Sequence, residues 1–142
     1  METHDHVNIG GSWLSPLGTE QITLTDPRSG LPAASVRLAD AADVKRAAAV
    51  ARATFDEGAA WPLRDRLDCL DELASVIEAQ SETFAEQISS EIGAPDQFAR
   101  LAQVGVAVGT LRGIVQAARE YQFEERVGDS VVVAEPAGVV AA

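Results

Sequence analysis

Residues 34–55 read ASVRLADAADVKRAAAVARATF, and the hydrophobic period changes inside them. Ala34 to Leu38 is a short β-like run. From Asp40 onward the apolar residues Val44, Ala47, Ala48, Ala51 and Phe55 follow the i, i+3, i+4, i+7, i+11 spacing of one helix face. Asp40 is a good N-cap, since its side chain can accept from the first free amides of the helix. Asp43, Lys45, Arg46 and Arg52 are then expected on the wet side. A strand that feeds an amphipathic helix in this way predicts an α/β fold.

Upstream, two more runs read as strands: Val7 to Leu14, broken by Gly10 and Gly11, and Gln21 to Thr25. The turn between the second of these and Ala34 is carried by Asp26-Pro27-Arg28-Ser29-Gly30, where proline sets φ, aspartate and serine bond nearby backbone, and glycine is free to take positive φ. Downstream, a break over Gly58 to Pro62 precedes a second helix with the stripe Leu67, Leu70, Leu73, Ala74 and Ile77. Its acidic residues Asp65, Asp68, Asp71 and Glu78 are placed toward water. Ser81 is expected to cap a third helix carrying Phe84, Ala85 and Ile88, and Gly93 to end it as a left-handed residue. Pro95 suits the first turn of a fourth helix, about Pro95 to Tyr121, that is apolar on more than one side through Phe98, Leu101, Val104, Val106, Val108, Leu111, Ile114 and Val115. A polar stretch at Gln122 to Arg126 and a Gly128-Asp129 turn follow. Two β-branched runs close the sequence, Val131 to Val133 and Val139 to Val140. Apolar surface is expected to stay exposed on the fourth helix and the last strand.

Composition sets the outer bounds. The 142 residues are 46% hydrophobic, enough for one domain with a core, and no repeat or low-complexity linker suggests an internal boundary. The 22 acidic and 11 basic residues leave a net charge of −11, which repels a phosphate backbone, so nucleic acid is not an expected partner. The longest strongly apolar passage, Val104 to Leu111, is far short of the roughly 18–20 residues that span a bilayer, and no membrane partner is expected. A single cysteine, Cys69, excludes an internal disulfide framework and fits a cytoplasmic protein. No basic, apolar secretory leader is visible in Met1 to Gly10.

Candidate chemistry is sparse. His4-Asp5-His6 has the residue types of a weak metal site but lies in a terminus expected to fray. Cys69 falls at the edge of the second helix's apolar arc, beside Leu73 and Val76, and reads as a core or boundary thiol, not a nucleophile. Gly105, Gly109 and Gly113 share one helix face and read as a close-packing seam within the domain. Trp13 and Trp61 read as packing residues, and Glu124-Glu125-Arg126 as a solvated turn. Neither a Gly-x-Gly-x-x-Gly fingerprint nor a phosphate loop occurs. From the residues alone, no catalytic, cofactor-binding or metal-binding residue can be assigned.

The order of short motifs adds what periodicity cannot. Val7-Asn8-Ile9-Gly10-Gly11-Ser12-Trp13 resembles the opening "INGEW" strand of the aldehyde dehydrogenase superfamily. Asp26-Pro27-Arg28-Ser29-Gly30 resembles its "NPATG" turn, with aspartate for asparagine, and Asp43 to Phe55 resembles its "DVDRAVAAARAAF" helix. Trp61, Arg66 and the Leu70 to Ile77 stripe are similar to "W…RAAILRRLADLIE". Glu91-Ile92-Gly93-Ala94-Pro95 is similar to "ETGKP", with alanine where lysine is common, and Glu135 to Ala142 to "EPVGVVAAI".

The resemblance implies the amino-terminal part of that fold: short strands, about four helices and a terminal β-hairpin or strand, with an incomplete nucleotide-binding sheet. Residues 1–142 are then a partial domain, a cofactor-domain scaffold plus part of the oligomerisation arm. The family's "PWN" segment, ribose-binding lysine, glycine-containing cofactor turn, general-base glutamate and nucleophilic cysteine all come later, and Cys69 matches none of its catalytic motifs. The resemblance implies, for a full-length relative, NAD or NADP as cofactor, an aldehyde oxidised to a carboxylic acid, and a homo-oligomer. The chain itself is expected to be inactive and to bind neither cofactor tightly. The alternatives are a non-catalytic interaction module on the same scaffold and a nonfunctional truncated gene product.

Overall fold

The computed structural model describes residues 2–58 and 61–141. Its elements, in order, are β1 Glu2–His4, β2 Val7–Ile9, β3 Ser12–Leu14, β4 Gln21–Thr25, β5 Pro32–Arg37, α1 Ala41–Gly58, α2 Leu63–Ala79, α3 Ser81–Ile92, α4 Asp96–Phe98, a π-helical segment Ala99–Val104, α5 Gly105–Glu120, β6 Glu124–Val127 and β7 Ser130–Val133. This is the mixed α/β arrangement the sequence predicts. By contact the chain divides into two compact units, Met1–Ala60 with Ala137–Ala142, and Trp61–Pro136.

In the first unit β5 is the central strand of a three-stranded sheet, antiparallel to β4 and parallel to β1. The terminus expected to fray is therefore a strand: Glu2, Thr3 and His4 stand opposite Ala34, Ser35 and Val36. β5 offers β1 an edge to pair with, which reading the terminus alone could not reveal. β2 and β3 form a separate hairpin around Gly10 and Gly11, whose φ values of 61° and 80° are those a type I′ turn requires. The Asp26 turn forms as expected. Its Oδ1 accepts from the amides of Ser29 and Arg28, each at 2.8 Å, and these bonds, Ser29's first, hold the carboxyl below the usual aspartate range.

Asp40 caps α1 through Oδ1, which accepts from the amides of Ala42 at 2.8 Å and Asp43 at 3.1 Å. The faces of this helix differ from expectation. Asp43, placed on the wet side, is only 3% exposed, while Val44, placed in the core, is 64% exposed. Ala47, Ala48 and Ala51 are exposed too, and Phe55 is half-buried. The physical reason is cover: within this unit α1 meets β2, where Val50 approaches Gly10, and no described element lies over the Val44–Ala51 face.

In the second unit α5 packs along α2, and the π segment against α3. Leu67, Ala74, Ala85, Ser89, Ala99, Val104, Val108 and Val115 are the buried residues. Leu70 and Ile77 are half-buried and Leu73 is exposed, so the α2 stripe is narrower than its sequence pattern. Gly93 ends α3 with φ 72°, as expected. Ser81 does not cap: it is the first helical residue, and the preceding Gln80 makes no side-chain capping bond, because α3 follows α2 after that one residue. Pro95 lies just before α4 instead of in its first turn.

The fourth helix is continuous over Asp96–Glu120 and, by length and composition, long and apolar enough to cross a membrane, although its longest apolar run is short. Two features give it the character of a packed amphipathic helix: Val104, Val108 and Val115 are buried, and Arg100, Arg112 and Arg119 pair with carboxylates of α2 and α3. One turn of it is π-helical, with the Gly105 amide donating to Arg100 as well as to Ala102. Phe98, Leu101, Val106 and Ile114 remain exposed, which matches the expected uncovered surface.

β6 and β7 pair antiparallel across Gly128 and Asp129, with Gly128 at φ 63° in the first turn position, as a II′-type hairpin needs. Glu124-Glu125-Arg126, expected as a solvated turn, is thus a strand, though a fully exposed one. Charge favoured the turn reading; the pairing partner Val131–Val133 decides otherwise. Val139 and Val140 form no strand and are exposed, since no described strand lies beside them.

Candidate functional site

Two polar constructions stand out from the scaffold, one in each unit. The first is built on Asp43. Its Oδ2 accepts from the backbone amides of Leu17 at 2.8 Å, Asp40 at 3.1 Å and Gly18 at 3.3 Å. Asp40 and Asp43 therefore cap each other, each side chain accepting from the other's amide, and Asp43 also fastens the β3–β4 connection to the start of α1. The Arg37 guanidinium closes the same corner by donating from Nε to the Gly18 carbonyl at 2.7 Å. Amide donors, that of Asp40 above all, draw the Asp43 carboxyl below its usual range against the opposing effect of burial. Gly18 is required by space: a Cβ there would lie 2.3 Å from the Leu38 carbonyl oxygen. The Asp-x-x-Asp spacing of Asp40 and Asp43 is a sequence signal that could have found this corner, and placing Asp43 on the wet side missed it.

The second is an open groove of about 340 Å³ lined by Glu78, Ser81, Arg100, Gly105, Gly109 and Arg112 among others. Arg112 donates to both carboxylate oxygens of Glu78, at 2.6 and 3.2 Å, and Arg100 to Glu82 at 2.7 Å. The hydrogen bond from Arg112, and then its charge, hold the Glu78 carboxyl below its usual range. Each guanidinium is matched by a carboxylate, so the groove has no net charge with which to collect an anion. Nearby, the buried Ser89 hydroxyl lies 2.6 Å from the Ala94 carbonyl oxygen and also within reach of Asp96 Oδ1, which ties the α3–α4 connection. Asp43 and Ser89 each tie a connection to a helix, the first at the start of α1 and the second between α3 and α4.

The residues weighed from sequence are dispersed. Asp5 and His6 pair with each other at 2.6 Å, and among the described residues no group of three or more His, Cys, Asp or Glu side chains is placed to hold a metal. Cys69 is exposed, not buried, beside exposed Leu73 and Val76, because the edge of the α2 arc is uncovered. Trp13 and Trp61, expected to pack, are 69% and 51% exposed. The glycine seam does not pack inside its unit. Nothing lies within 4 Å of a Cβ built on Gly109 or Gly113, and only the Arg100 carbonyl oxygen comes near one on Gly105. These glycines lie within the continuous helix, where amides are committed to helical bonds, so they do not form the amide cradle a dinucleotide pyrophosphate needs.

Comparison with known proteins supplies what the geometry leaves open. Residues 13–142 match the model of the aldehyde dehydrogenase family. A 3-succinoylsemialdehyde-pyridine dehydrogenase of a Pseudomonas species is 29% identical over 140 residues, a stretch that covers 98% of this chain and 29% of the relative. Among solved structures, an aldehyde dehydrogenase of Mycobacterium tuberculosis in complex with NAD+ superposes with a TM-score of 0.85 at 28% identity, covering 95% of this chain and 29% of that one. An aldehyde dehydrogenase C variant of Pseudomonas syringae, in complex with NAD+ and octanal, gives 0.85 at 30% identity, covering 90% and 26%. The chain therefore spans about three-tenths of the length of the relatives it matches. Its motif order, its mixed α/β architecture and the match over residues 13–142 agree, and the chain belongs to the aldehyde dehydrogenase family.

Proposed function

We propose that these 142 residues are the amino-terminal scaffold of an NAD(P)-dependent aldehyde dehydrogenase, and that they carry no chemistry of their own. The observation behind this reading is coverage: the match runs along nearly the whole chain but over only 29% of the curated relative. In the complete protein an aldehyde would be oxidised to a carboxylic acid, with a nicotinamide cofactor receiving hydride. The nucleophile, the base and the cofactor-binding residues would come from sequence beyond this chain. The whole protein would be a cytoplasmic homo-oligomer acting without nucleic acid or membrane; the acidic charge, the lone thiol and the family's habit support that reading.

The deciding experiment reads the source DNA past the codon for Ala142. An open frame continuing into a segment like Ile-Thr-Pro-Trp-Asn is expected. An immediate authentic stop codon would overturn the proposal and leave the interaction module or the truncated product. Calorimetry of the purified chain with NAD+ and NADP+ should show no saturable binding, and a saturable isotherm would refute the claim that the scaffold lacks a cofactor site.

A further inference from the structure

We draw no further inference here: the strongest candidate, the uncovered face of the Asp96–Glu120 helix that carries Phe98, Leu101, Val106, Gly109 and Gly113, is an apolar small-residue surface and nothing in the structure shows what covers it.

Discussion

Asp43 shows how one side chain can serve two pieces of backbone. Replacing it with alanine leaves the Leu17, Gly18 and Asp40 amides without their acceptor, so Asp43→Ala should lower the melting temperature and speed hydrogen exchange at Leu17 and Gly18. Unchanged exchange at both amides would show that the tether is idle. The pH dependence has a definite sign. The folded carboxyl titrates below its ordinary value near 3.8, so its contribution is complete above that value and is lost as pH falls toward the lowered folded pKa. Wild type should therefore lose its advantage over Asp43→Ala in acid, as followed by melting curves between neutral pH and pH ~3. Gly18→Ala should destabilise by about 1–3 kcal/mol, because the added methyl meets a backbone carbonyl that cannot swing aside. Sequence reading identified the Asp40 cap, because capping is local. It misplaced Asp43, because the amides that Asp43 serves lie 25 and 26 residues away.

At the scale of elements, pattern located the helices better than it located their cover. The Val44–Ala51 face and the glycine face of α5 carry the spacing of buried surfaces, yet no described neighbour lies over them. Periodicity reports that a face is apolar; only the packing partner makes it core. Two substitutions separate these cases on α5. Val115 is 1% exposed, and Val115→Ala should cost roughly 1–3 kcal/mol in denaturant unfolding, whereas Val106→Ala, at a position 63% exposed, should cost under about 0.5 kcal/mol. Gly109→Ala tests the seam directly. With open space around the new methyl, it should stabilise the chain by about 0.5–1 kcal/mol through helix propensity, and a loss of stability would mean that the glycine face is covered after all. The π segment and the β1–β5 pairing had no legible signal, since each depends on what lies alongside it.

For the whole molecule, family membership was readable from the order and spacing of short motifs, while the division into units was not, since no linker composition marks it. Exposed Trp13, Val44, Leu101, Val106 and Val140 should make the isolated chain bind hydrophobic dyes strongly and associate as concentration rises; a monodisperse sample that leaves such a dye dark would contradict the exposed faces. The first unit is also discontinuous, because it takes in residues from Ala137 onward as well as those before Trp61. Chains leave the ribosome from their N-terminus, so the early strands and α1 emerge first yet lack part of their unit until all of Trp61–Pro136 has been made. Order of synthesis and order of completion are thus reversed, the helical unit being finishable first. A released chain truncated after Pro136 should keep its helices resistant to protease, since no residue of the second unit is lost, and early cleavage in those helices would contradict that division.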